Sequence, residues 1–239
     1  MALPGFPARI RTLRTVAETV VGYTLILITV WSPLWIRNYI ALVAAFWISG
    51  SLLISGHAGE SRGFGLRAFW HCSWAVAVSL AAAAGMIVLS EHLGTLHFDS
   101  HLMTERPPLL GYMVWALLQQ IVLQHFLMER LLLLLHRPWV AIVTASLLFA
   151  LAHVPNPLLT LATMLWGLTA CWLYLRYRSL IGVATIHFVL GACLAICVPA
   201  TLHRNMRVGL GYVRYRAPSP RAYGLAPLTT GLVPAAVPR

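Results

Sequence analysis

The stretch from Leu109 to Leu135, LLGYMVWALLQQIVLQHFLMERLLLLL, decides how the rest of the chain is read. It is long and apolar enough to cross ~30 Å of hydrocarbon as a helix, which takes roughly 20 residues. From its eleventh residue on it nevertheless carries Gln119, Gln120, Gln124, His125, Glu129 and Arg130. Strongly polar side chains are expensive when they face lipid, so a span that keeps them points them into a bundle of other helices. The segment therefore predicts a membrane and helical neighbours around it.

Working outward, further apolar runs of similar length lie between polar punctuation. Spans are expected over Val16 to Trp35, Tyr39 to Ser55, Ala68 to Ser90, Leu109 to Leu135, Pro138 to His153, Pro157 to Tyr177 and Leu180 to Ala200. The second and fifth are short, so six to eight spans are compatible with the pattern. Of the 239 residues, 59% are hydrophobic and 10% charged, where a soluble domain carries about a quarter charged. Mean hydropathy is +0.78. An open sheet would leave backbone groups unpaired in lipid, and the alternation of a barrel strand is absent. The fold class read from the sequence is all-α, a polytopic transmembrane helical bundle of about seven spans.

The charges are lopsided. Seventeen arginines and no lysine face six carboxylates: Glu18, Glu60, Glu91, Asp99, Glu105 and Glu129. Without lysine, Schiff-base chemistry and a P-loop are excluded. The net charge of +11 would suggest nucleic acid in a soluble protein. Here the arginines lie mostly in loops and tails between apolar runs, which points to anionic lipid headgroups and to no nucleic acid. Arg9, Arg11 and Arg14 favour a cytoplasmic N-terminus. Alternation from there puts Arg62, Arg67, Arg130, Arg137, Arg176 and Arg178 on the same side, with only Arg37 and Arg106 opposite. With seven spans, Arg204, Arg207, Arg214, Arg216, Arg221 and Arg239 break that pattern. The first apolar run is already membrane-length, so no cleavable signal peptide is expected.

Three regions follow: 1–108, about three spans and a polar loop; 109–202, a helical core; and 203–239, a basic, Pro/Gly-rich tail expected to be disordered, most plainly from Ala217 onward. The core holds most of the polar residues. At 100° per residue Gln120 and Gln124 share a face, with Gln119 one position round. Glu129 falls nearly half a turn from Gln120 and towards the cytoplasmic end, where Arg130, Arg137 or the interface would partner it. His153 ends the fifth span and His187 lies in the seventh. Any one such residue more often bridges two helices, at roughly 1 kcal/mol, than performs chemistry. Three glutamines within six positions and two histidines on neighbouring spans raise the second possibility.

The residues Gln119-Gln120-Ile121-Val122-Leu123-Gln124, then Leu148-Phe149-Ala150-Leu151-Ala152-His153-Val154-Pro155-Asn156, then Trp166-Gly167, Tyr174-Leu175-Arg176-Tyr177 and His187 resemble the CAAX protease and bacteriocin-processing family. Its members are type II CAAX prenyl endopeptidases and bacterial relatives, polytopic membrane proteases. The resemblance covers about Trp115 to Ala200. Its members typically show E-E-x-x-x-R, F-x-x-x-H and H-x-x-x-N. This chain keeps Phe149, His153 and His187, but has Gln119 and Gln120 for the glutamates, Gln124 for the arginine and Gly191 for the asparagine.

The resemblance implies an intramembrane endopeptidase acting on membrane-associated substrates, in a bacterial cytoplasmic membrane, with site residues Gln119, Gln120, Gln124, His153 and His187. In the family a glutamate activates water, the histidines assist and the asparagine helps hold the oxyanion. A glutamine amide has no usable proton affinity near neutrality, so the named base is gone. Two anions and one cation have all become neutral amides. Each buried charge removed saves ~2.5–3.5 kcal/mol on insertion scales, and replacing the set strands no partner. The alternative is a catalytically silent scaffold that binds a hydrophobic or lipidated peptide. A small transporter is a third class, without the inverted repeat it would need.

No cofactor and no metal are expected. Two histidines fall short of the three protein ligands zinc usually takes, and His125 and Glu129 are poorly placed to add one. Glu91, His92, His97, Asp99 and His101 match no ligand spacing and read as a solvated loop. Cys72, Cys171, Cys193 and Cys197 read as packing residues. Trp31, Trp35, Trp139, Trp172 and Tyr177 fall near span ends, as interfacial belts do. Gly50, Gly85, Gly167 and Gly182 are candidates for close helix contact.

Overall fold

The computed structural model describes residues 8–54, 63–96 and 109–216. All its regular elements are helices: α1 (Ala8–Trp31), α2 (Leu34–Ile54), α3 (Leu66–His92), α4 (Leu109–Gln120), a π-helical segment (Ile121–Met128), α5 (Glu129–Leu135), α6 (Pro138–Leu151), α7 (Pro157–Tyr177), α8 (Leu180–Cys197), α9 (Ala200–His203) and α10 (Gly209–Val213). Six stretches are long and apolar enough to cross a membrane, with Pro138–Leu151 as a shorter apolar helix. The protein is an integral, multi-pass membrane bundle.

The helix ends follow local chemistry. Pro157 occupies the first turn of α7, where a missing N–H costs nothing, and Asn156 caps it by accepting from the Leu159 amide at 3.2 Å. Ser179 caps α8 through the Gly182 amide at 3.1 Å. His136 and Arg178 close α5 and α7 in the left-handed conformation. The first two helices break at Ser32-Pro33, not between Trp35 and Tyr39 as the expected spans had it. Pro33 has no amide to continue α1, and its carbonyl starts α2 by accepting from Arg37 at 3.0 Å.

Alternate helix ends meet at two faces of the bundle. On one, the Gly63 carbonyl accepts from the Leu180 amide at 2.9 Å. On the other, the Gly209 amide donates to the Val154 carbonyl at 3.0 Å. Helix α6 has 14 residues, about 21 Å of rise, and stops short of that second face. The space beyond it is filled by the chain after Cys197: Asn156, fully buried, donates to the carbonyls of His203 at 2.8 Å and Arg207 at 3.0 Å. Residues 203–216, expected to open a disordered tail, are therefore built into the bundle. Arg204 lies over the Tyr212 ring at 4.1 Å and donates to the Tyr212 carbonyl at 3.0 Å. The rest of that tail, from 217, and the loop residues His97, Asp99, His101 and Glu105 lie outside the described residues.

The main core gathers Leu123, Phe126, Leu127 and Met128 of the π segment with Ala141, Ala145 and Phe149 of α6 and Ala170 and Cys171 of α7. A second cluster joins Cys72 and Ala75 of α3 to Val183 and Ile186 of α8, so the N-terminal region contributes a wall of the core. A Cβ added at Gly167 would lie 3.0 Å from Ser146 and one at Gly182 3.0 Å from Cys72, so both glycines allow close helix contact. A Cβ added at Gly50 or Gly85 would meet nothing within 4 Å, so neither serves such a contact. All four cysteines are buried and unbridged.

Candidate functional site

The polar face of the fourth span is set by a change of helix type. After Gln120 the backbone widens to a π-helix through Met128, and the Glu129 amide reaches back five residues to the Gln124 carbonyl. Before and at this junction the amides stack. Gln124 Nε2 donates to Gln120 Oε1 at 3.1 Å, which turns Gln120 Nε2 outward to meet His187 Nδ1 at 3.1 Å. Gln120 and Gln124 are fully buried and His187 is nearly so. The thiol of Cys171 and the hydroxyl of Ser146 lie against this group.

His153 joins through rings. Phe149 stands between the two histidines, its centroid 5.0 Å from His153 and 6.0 Å from His187, edge-on to both. Trp166 flanks His187 at 5.8 Å, and its buried indole N–H has no partner among the described residues. His153 Nδ1 is 2.7 Å from the Phe149 carbonyl. A carbonyl only accepts, so that nitrogen carries the proton, and in the neutral ring Nε2 holds the lone pair. At His187 the arrangement is reversed: a donating amide at Nδ1 puts the ring proton on Nε2. One neutral imidazole thus offers an acceptor and the other a donor.

Of the five residues expected at the site, Gln120, Gln124 and His187 form one hydrogen-bonded chain, and His153 is bridged to it by Phe149. Gln119, half-buried, lies outside that chain. At 100° from Gln120 it belongs to a neighbouring face.

Glu129 has a neighbour the sequence did not suggest, His125 Nδ1 at 3.3 Å, beside the expected electrostatic pairing with Arg130, and the Tyr174 hydroxyl is 3.4 Å from that His125 nitrogen. The estimate by angle assumed an unbroken α-helix, and the π segment shifts everything after it. Arg130 turns across to α1 and α2. Its Nη2 donates to Ser51 Oγ at 2.6 Å and Glu18 Oε2 at 3.4 Å, and Nη1 donates to the carbonyls of Phe126 at 3.1 Å and His125 at 3.3 Å. This cluster fastens the first two helices to the π segment. Glu18 was visible in the sequence only as an isolated acid near the N-terminus. Among the described residues no three His, Cys, Asp or Glu side chains stand close enough to hold a metal ion.

Position 191, one turn beyond His187 on α8, carries no side chain. A Cβ built there would collide with the Tyr112 hydroxyl of α4, so glycine is required by that close approach. The Tyr112 ring packs on Phe188 at 5.8 Å.

Comparison with curated proteins and with solved structures gives no match. Residues 107–193, a little over a third of the chain, match the family model described as type II CAAX prenyl endopeptidase Rce1-like. The matched residues carry Gln120, Gln124, His153 and His187 together, and over 107–193 this membrane protein is similar to the type II CAAX prenyl endopeptidases.

Proposed function

We propose that the chain is an intramembrane endopeptidase of altered chemistry, hydrolysing peptide bonds of membrane-associated substrates with a histidine in place of the carboxylate base. The observation that carries this is the 2.7 Å bond from His153 Nδ1 to the Phe149 carbonyl. It fixes the tautomer and leaves Nε2 as the one basic nitrogen of the cluster. In the reaction, His153 Nε2 takes a proton from water as the water oxygen bonds to the substrate carbonyl carbon. His187 Nε2–H and neighbouring donors meet the oxygen as it gains charge. Collapse breaks the C–N bond, and the proton held on His153 passes to the leaving amine. Gln120 acts through His187, keeping its proton on the nitrogen where it is needed.

Purified protein in liposomes, offered a panel of membrane-tethered peptides, is expected to cleave. His153→Ala is expected to lower the rate by about 10²-fold or more, the usual contribution of a positioned base. Equal cleavage by wild type and His153→Ala would assign the activity to a contaminant and end the hydrolytic reading.

A second reading is favoured by one observation: the amides bond to one another and to an imidazole, Gln124 to Gln120 and Gln120 to His187, with Gln124 Oε1 left without a partner among the described residues. A neutral network with no ionised group suits a site that holds a hydrophobic or lipidated peptide without cutting it. Saturable binding of a prenylated peptide with no product over days would favour that account.

A further inference from the structure

Glycine at 191 leaves α8 without a polar side chain one turn past His187, about 6 Å along the axis. That place is not empty. The Tyr112 hydroxyl of α4 occupies the position that the first side-chain carbon of residue 191 would take. Among the described residues this hydroxyl has no hydrogen-bond partner, although its ring is held against Phe188 at 5.8 Å. A hydroxyl in a membrane interior ordinarily bonds to a neighbouring helix, because nothing else there will take its proton. This one is aimed at a backbone that offers it only a Cα.

We infer that the Tyr112 hydroxyl is a substrate-binding group, donating a hydrogen bond to the carbonyl oxygen of the amide that enters beside His187. Tyrosine suits the role on three counts. Its ring is a rigid arm with two side-chain torsions, so little freedom is lost when it is held. Its packing on Phe188 fixes where the oxygen lies. The donor is uncharged, as are Gln120, Gln124, His153 and His187 around it, so no ion has to be desolvated. Residues 112 and 191 then form a unit: a side chain at 191 would push the phenol away, and without the phenol a glycine at 191 would leave the carbonyl unmet. Tyr112 does not stand out in the sequence, because the donor comes from a different helix from the one that lacks it.

The inference rests on the proposed entry of a peptide group at His187, and its test separates the two. Tyr112→Phe keeps the ring on Phe188 and removes only the hydroxyl. In the liposome cleavage assay kcat should fall by about 10²-fold with KM little changed, as when one preorganised donor is lost. Gly191→Ala, which removes no polar group, should also lower kcat by displacing the phenol. The double variant Tyr112→Ala/Gly191→Asn should recover part of the rate that Tyr112→Ala loses. A Tyr112→Phe rate equal to wild type overturns the inference while leaving the hydrolytic reading intact. If wild type cleaves nothing, that reading fails, and isotope-edited infrared spectra of a bound prenylated peptide decide. With ¹³C at one backbone carbonyl at a time, one carbonyl band should move to higher frequency in Tyr112→Phe. No movement at any label overturns the inference.

Discussion

Two buried polar clusters sit along the same rod and are built on opposite principles. Towards one end, Arg130 is bound to Glu18 and Ser51 and to two carbonyls of the π segment, an ionic knot that joins three helices. Towards the other, Gln120, Gln124, His187 and His153 are all uncharged. A charge inside a membrane is held only by a committed partner, so it is suited to fastening and ill suited to a site that must exchange partners. Neutral amides and imidazoles can give up one hydrogen bond for another at modest cost. The contrast suits the ionic cluster to anchoring and the neutral one to the substrate handling proposed for it.

That division breaks most visibly if a charge enters the neutral cluster. Gln120→Glu should cost about 2.5–3.5 kcal/mol, the insertion penalty of a carboxylate at the middle of a span. Adding Gln124→Arg should return at least half of that, and no recovery would mean that the two positions no longer face each other. Cutting the ionic cluster is the converse. Arg130→Met, which removes the guanidinium from Ser51, Glu18 and two carbonyls while Glu18 keeps Arg14 at 2.7 Å and Ser51 at 2.6 Å, is expected to cost about 1–3 kcal/mol in equilibrium unfolding. The double variant Glu18→Gln/Arg130→Met should recover part of it. A single-variant loss below about 1 kcal/mol would place the pair with screened surface ion pairs.

Packing effects come next. Gly167→Ala sets a Cβ 3.0 Å from the Ser146 Cα and Cβ and is expected to lower stability by about 1–3 kcal/mol. Gly85→Ala meets nothing within 4 Å and should change stability by less than about 0.5 kcal/mol. Equal effects at the two glycines would contradict the helix contacts described. The smallest effect is at Gln124→Leu. It removes one interhelical-scale hydrogen bond worth about 1 kcal/mol, with a correspondingly small shift in the thermal midpoint.

Much of the fold was legible because hydropathy and membrane thickness leave few choices. The spans from Leu109 onward were read nearly to the residue, stopped by Arg137-Pro138, Asn156-Pro157 and Ser179. The break between the first two helices was misplaced because Pro33 was read inside the first span. The site was legible in part. Gln120 and Gln124 share a face at the spacing of four, and Phe149, His153 and His187 fit a motif. The His125 neighbour of Glu129 and the role of Arg130 were hidden, because both follow a π segment that hydropathy does not register. The ordered turn from His203 to Arg216 was hidden as well. Its short, basic sequence has little helical period of its own and is held by Asn156 and by the gap beyond α6.

The sequence by itself determined that the chain spans a membrane and that no carboxylate pair falls in its polar core, and its resemblance to a family grouped two histidines with Gln119, Gln120 and Gln124. Composition and helical period suffice for the first two statements, and the third rests on the motifs. Only the tertiary structure decided that Gln120 meets His187, that Glu18 meets Arg130, and that Tyr112 stands over Gly191. Each depends on where helices far apart in sequence approach within hydrogen-bonding distance, and that is set by packing of whole faces rather than by any local run of residues.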